Sequence, residues 1–176
     1  MRILVAYAGK NGSTQTCVNR LRDALKGKDV TVVCLERETV EPSDFDLVVF
    51  GSSVYFGKMR PAARKFLAEY ENVLLQKRLA LFLCCALEEE YDYYCKKFFS
   101  PFLREQAFQL LYFGGSLKTD GLSFFDKLAV RAIRSSLFEA NMDNGEYLAN
   151  LPAILPENVD KLATYIREEI LHFHNG

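Results

Sequence analysis

At 176 residues, 49% hydrophobic and 26% charged, the chain has the size and make-up of one globular domain with a full core, not of a disordered segment. A formal net charge of −1 supplies no global basic field and argues against nucleic acid as a partner, and no apolar run is long enough to span a bilayer. The five cysteines, an odd number without framework spacing or a C-x-x-C, suit a reducing cytoplasm; only two histidines occur, at the far end of the chain, so no zinc site is expected.

The chain opens on Arg2 and an unbroken apolar run over residues 3–8, too short for a signal peptide and bounded by turn residues. Such a run fits a strand buried on both faces of a parallel sheet. A helix is predicted over 13–25, with Gly27 as its natural stop. Strand two is read at 30–35, rich in β-branched residues, and strand three at 47–50, broken by Gly51. Pro61 opens a helix over 61–70. Strand four lies at 79–84 and strand five at 108–113, with helical segments over 91–99 and beyond Pro101 between them. Residues 122–138 carry helical periodicity, and the last helix, 157–173, shows Val159, Leu162, Ala163, Ile166 and Ile170 on one face. Strands alternating with helices predict a three-layer α/β sandwich on a five-stranded parallel sheet, as one domain over residues 1–176 with an inserted amphipathic segment at about 116–150. Ligands of such sheets bind beyond the carboxyl ends of the strands.

The loop Gly9-Lys10-Asn11-Gly12-Ser13-Thr14 joins strand one to a helix N-terminus, where free N–H groups and the positive dipole end attract an anion. It therefore reads as a phosphate loop. A Walker A motif fails, because Lys10 precedes Gly12. The G-x-G-x-x-G fingerprint is incomplete, with only Gly9 and Gly12 present, although Glu36 stands where a ribose-binding acid often does. A phospho-receiver domain would need an aspartate at the end of strand three, and the chain has Gly51 and Ser52 there.

The loop resembles the first loop of flavodoxins, [ST]-x-[ST]-G-x-T, matching at Gly12 and Thr14 and departing at Gly9 and Asn11. Asn11, Ser13 and Lys10 still offer an amide, a hydroxyl and a charge. GSSVYFGKM, from Gly51 to Met59, is similar to the flavin-flanking loop after strand three in flavodoxin-domain proteins. Gly51 and Gly57 let the backbone pass close to a planar ring, and Tyr55 or Phe56 offers a stacking face. The resemblance implies strand order 2-1-3-4-5 and FMN as cofactor. It places the phosphate on Gly9, Lys10, Asn11, Gly12, Ser13 and Thr14. The ring would lie between Ser52, Ser53, Val54, Tyr55, Phe56 and Gly57 on one side and Cys85, Ala86 and Leu87 on the other. Cys84 and Cys85 are read as core and backbone contact, not as a redox pair.

Within that superfamily the chain resembles the menaquinone-dependent protoporphyrinogen oxidase family. The shared features, in order, are the second loop, a following helix with Phe66, the turn Gly114-Gly115-Ser116-Leu117, the insert SFFDKLAVRAIRSSL and the closing helix NVDKLATYIREEI. The chain departs at Lys118-Thr119-Asp120, where the family carries arginines and aromatics. This resemblance implies a cytoplasmic oxidoreductase passing electrons from a bulky small-molecule substrate to a quinone. A flavodoxin-type electron carrier and a flavin-free interaction module are the alternatives. In the insert, Leu122, Phe125, Leu128, Ala129, Ala132, Ile133 and Leu137 can share a broad face, with Lys127, Arg131 and Arg134 elsewhere. That helix can cover its own domain, meet a homodimer partner or lie on a membrane surface, and covering is the commoner role. Glu88, Glu89 and Glu90 read as a solvated loop, and no catalytic constellation stands out.

Overall fold

The computed structural model describes residues 1–9, 12–115 and 154–175. The expected insert at 116–150 and the loop residues Lys10 and Asn11 lie outside this set. The described elements are β1 (Arg2–Ala8), α1 (Ser13–Ala24), β2 (Asp29–Cys34), β3 (Leu47–Tyr55), β4 (Lys58–Met59), α2 (Pro61–Leu74), β5 (Arg78–Cys84), α3 (Tyr91–Phe98), α4 (Pro101–Gln106), β6 (Ala107–Tyr112) and α5 (Pro156–Asn175). The acidic stretch Glu88–Glu90 forms a 3-10 turn leading into α3.

Five strands run parallel in the order β2-β1-β3-β5-β6, and β4 pairs antiparallel with the end of β3. The sheet order is the predicted one, with β4 as an addition. β1 and β5 are apolar at nearly every position because both faces of the sheet are covered. Alternation sends Leu4, Ala6 and Ala8 to one face, where they meet Phe66 and Leu67 of α2 and Tyr94 and Cys95 of α3. Ile3, Val5 and Tyr7 face the other way, onto Cys17, Val18 and Leu21 of α1 and the apolar stripe of α5. That stripe is the predicted one: Val159, Leu162, Ala163 and Ile166 are fully buried. Each large aliphatic side chain buried in this way stabilises the fold by roughly 1.5–3 kcal/mol. Arg20 of α1 also donates two hydrogen bonds to Asp160 of α5, both at 2.7 Å, clamping the two helices on one face. No helix among the described residues is long and apolar enough to cross a membrane.

One boundary differs in a way that matters. The sequence places a break at Gly51, whereas β3 runs on to Tyr55 and turns into β4. Gly51 lies between Tyr7 of β1 and Phe82 of β5 within the ladder. A Cβ at this position would meet three atoms of the Phe82 ring at 2.2–2.4 Å, so the glycine makes room for a neighbouring strand's ring and marks no turn. The helix after it also runs longer than 61–70, because Leu74 is buried and adds another turn to the apolar face.

Candidate functional site

The sheet register brings the three predicted loops to one edge. Ala8 is opposite Ser52, and Ser53 is opposite Cys84, so Gly9, the end of β3 and Cys85 emerge side by side. This is the carboxyl edge of the parallel strands, where β1 and β3 diverge toward opposite helical layers.

In the first loop Gly12 takes φ +81° and ψ −27°, a left-handed conformation that glycine adopts without strain, and it caps α1 with no side-chain hydrogen bond. Among the described residues, the amides of the first turn are thus left without a side-chain cap at the positive end of the helix dipole. The Gly12 carbonyl accepts from the Thr16 amide at 2.8 Å and from the Thr16 hydroxyl at 3.0 Å. Thr14 is only 2% exposed. A Cβ on Gly9 would come within 2.8 Å of both Cβ and Oγ1 of Thr14. Glycine at position 9, read from sequence as a missing hydroxyl, is required by the packing of Thr14 beside it.

The second loop is a hairpin. Tyr55 pairs with Lys58 across the two-residue turn Phe56-Gly57, and both turn residues have positive φ, +49° and +68°. That is the turn whose twist suits a tight hairpin, and Gly57 accepts it freely. Phe56 does not: a bulky residue in this region carries strain, and Phe56 is the one non-glycine with positive φ among the described residues. Its ring is 40% exposed and packs edge-on against Tyr55, with centroids 4.4 Å apart. A strained, exposed aromatic packed on a half-buried one at a strand end is the kind of feature that ligand clamps carry. Deeper in the strand, the Ser52 hydroxyl donates to the Ser53 carbonyl at 3.0 Å and accepts from the Arg60 amide at 3.3 Å. Ser53 Oγ is buried and has no hydrogen-bond partner among the described residues.

Two residues that the sequence reading missed hold the hairpin from behind. Lys97 of α3 donates to the Gly57 carbonyl at 3.0 Å. The Tyr94 hydroxyl lies next to Gly57 and donates to the Glu90 carboxylate. Burial, and then that carboxylate, hold the Tyr94 phenol protonated well above its ordinary range. Their sequence signal is the i, i+3 spacing of Tyr94 and Lys97 on a helix, which identifies a face but no function.

In the third loop Cys84 and Cys85 are core residues, as expected. The Cys85 thiol donates weakly to the Leu87 carbonyl at 3.5 Å, and burial pushes it up to about 12. A thiol so poorly ionised is no nucleophile at neutral pH. Ala86 and Leu87 are half-buried at the rim. Gly115 packs so tightly on the Cys85–Ala86 peptide that a Cβ there would lie 2.6 Å from the Cys85 carbonyl carbon. Glu36, the candidate ribose acid, is taken up by Arg60 at 2.6 Å. Lys10 and Asn11 lie outside the described residues. The arrangement offers helix-terminal amides for an anion, a buried hydroxyl with capacity to spare and an aromatic hairpin for a planar ring.

No curated protein matches the chain in sequence. Its fold is similar to that of Fusobacterium nucleatum flavodoxin bound to flavin mononucleotide, at 14% identity and a TM-score of 0.55 over 96% of this chain and 99% of that one. Oxidised flavodoxin 1 from Bacillus cereus is similar at 13% identity and a TM-score of 0.53, covering 79% of this chain and 98% of that one. Two-electron reduced Megasphaera elsdenii flavodoxin follows at 17% identity and 0.51, over 75% of this chain and 98% of that one. The family model described as Flavodoxin domain matches residues 4–142, and the chain belongs to that family.

Proposed function

We propose that the chain binds FMN at the carboxyl edge of its sheet and acts in electron transfer. The observation that carries this reading is the convergence, on one edge, of the N-terminus of α1, which has no side-chain cap among the described residues, the unpartnered Ser53 hydroxyl and the strained Phe56 ring on Tyr55. The phosphate would rest on the amides that follow Gly12, with the Ser13 and Thr14 hydroxyls beside it. Ser53 and the hairpin backbone would face one side of the ring, and the Cys85–Leu87 backbone the other. Bound FMN supplies one- and two-electron chemistry, while the protein sets its orientation, access and electrostatics. The residues behind the hairpin serve that orientation: Lys97 fixes the Gly57 carbonyl, and the Tyr94–Glu90 pair braces the turn. Family membership and the FMN-bound relative from Fusobacterium nucleatum support the reading.

Beyond electron carriage, we propose that the chain is an oxidoreductase similar to the protoporphyrinogen oxidase family, drawing electrons from a bulky substrate and passing them to a quinone. A carrier that docks to basic partners is steered by a broad acidic surface. Here the overall charge is −1, and Lys58, Arg64 and Lys97 flank the hairpin. Titration of the purified protein with FMN, followed by quenching of flavin fluorescence, tests the cofactor. Oxidation of the flavin-loaded, dithionite-reduced protein by a soluble menaquinone analogue, compared with oxidation by a cytochrome, separates the enzyme from the carrier.

A further inference from the structure

Beside the hairpin, between β4, α2 and α3, lies a cavity of about 630 Å³, within the usual range for small-molecule sites. Its wall carries three cations from three elements: Lys58 on β4, Arg64 on α2 and Lys97 on α3. Met59, Leu67 and Phe98 give it an apolar floor, and among the described residues no carboxylate lines it. Three like charges around one concavity repel one another and raise a positive potential that the low-dielectric walls focus inward.

Several arginines elsewhere on this surface are paired with carboxylates. Arg20 meets Asp160, Arg60 meets Glu36 and Arg78 meets Glu169. Among the described residues no ion pair joins Lys58, Arg64 or Lys97 to an acid. Arg60 and Arg64 are one turn apart at the start of α2, yet among the described residues only Arg60 has a carboxylate partner. Lys97 is held in place without one: its ammonium donates to the Gly57 carbonyl at 3.0 Å and lies 5.2 Å from the centroid of the Tyr93 ring and 5.7 Å from that of Phe98. A solvated basic face would carry such charges on a convex surface without an apolar floor. Here the charge and the floor line the same cavity.

We propose that this cavity binds a small amphipathic organic anion. Its apolar body lies on Met59, Leu67 and Phe98, and its carboxylate, phosphate or sulfonate group is taken by Arg64 with Lys58 and Lys97. Arg64 supplies the planar fork that matches such a group, and the lysines supply point charge. The site does not depend on bound flavin, although the Gly57 carbonyl ties its rim to the hairpin.

The test uses two probes on the whole protein without flavin: the aromatic sulfonate 8-anilinonaphthalene-1-sulfonate and its uncharged relative N-phenyl-1-naphthylamine. The expected result is saturable sulfonate fluorescence at one site, weakened about tenfold by Arg64→Gln and about tenfold by Lys58→Gln, with Arg64→Lys retaining part of the affinity. The uncharged probe should bind more weakly to wild type and respond to neither substitution. Both side chains are exposed, so circular dichroism melting should show the variants folded. Absence of saturable sulfonate binding would overturn the proposal. So would equal affinity, within twofold, of wild type and a folded Arg64→Gln/Lys58→Gln double variant.

Discussion

Replacing Gly51 by alanine probes the link between the sheet and the site most sharply. The added Cβ would lie 2.2 Å from Cζ, 2.3 Å from Cε1 and 2.4 Å from Cε2 of Phe82. Carbon atoms rest about 3.5–4.0 Å apart, so the ring must retreat by more than ~1 Å. It has nowhere easy to go: Phe82 is fully buried and stacks on Phe113 at 4.5 Å with the planes 20° apart. Overpacking a tight core costs about 1–3 kcal/mol, and a clash with a ring locked in this way belongs near the upper end. At about 2–4 °C per kcal/mol for a chain of this size, the melting temperature should fall by about 6–12 °C. Thermal and urea unfolding followed by circular dichroism read the loss. In a Phe82→Leu background, where the colliding ring is gone, the same substitution should cost under ~1 kcal/mol. A Gly51→Ala protein melting within about 1 °C of wild type, or an equal loss in both backgrounds, would refute the argument that this glycine exists to admit Phe82.

Three further outcomes follow from the site. Ser53→Ala removes a buried, unpartnered hydroxyl, so flavin-free stability should rise by up to about 1 kcal/mol while FMN affinity falls about tenfold, read by urea midpoints and fluorescence titration. Phe56→Gly relieves a positive φ that costs a bulky residue roughly 1–2 kcal/mol; the variant should melt higher than wild type but hold FMN less tightly, and unchanged affinity would dismiss the ring as a flavin contact. Burial raises Cys85 to about 12 and Cys95 to about 11, against an ordinary thiol value of about 8.5. Above that ordinary value the unfolded chain sheds protons that the folded chain keeps, so stability is full below it and declines as pH rises toward 11–12. Urea midpoints should therefore agree at pH ~7 and ~8 and drop by pH ~10, and a flat profile across that range would contradict the burial argument.

The layers of the fold could be read from the sequence because the signals there are local. The run over residues 3–8 and the stripe from Val159 to Ile170 each state their burial in their own periodicity. The length of β3 could not be read so, because Gly51 is a glycine on account of Phe82, a residue on another strand. Gly9 misled in the same manner: its missing side chain makes room for Thr14, a contact that closes only when the loop folds. The three loops of the candidate site could be picked out from sequence because each follows a strand end. Tyr94 and Lys97 could not, since their role depends on the hairpin packing against α3, more than 30 residues away in the chain.

Whether this edge of the sheet holds FMN is decided by an absorbance spectrum of the purified protein before and after adding FMN. Flavin bands in the protein as isolated, or saturable quenching of flavin fluorescence on titration, are expected, with Ser53→Ala binding more weakly than wild type. A protein that stays colourless and leaves added FMN fully fluorescent at high concentration would contradict FMN binding, and the proposed redox role would fall with the cofactor.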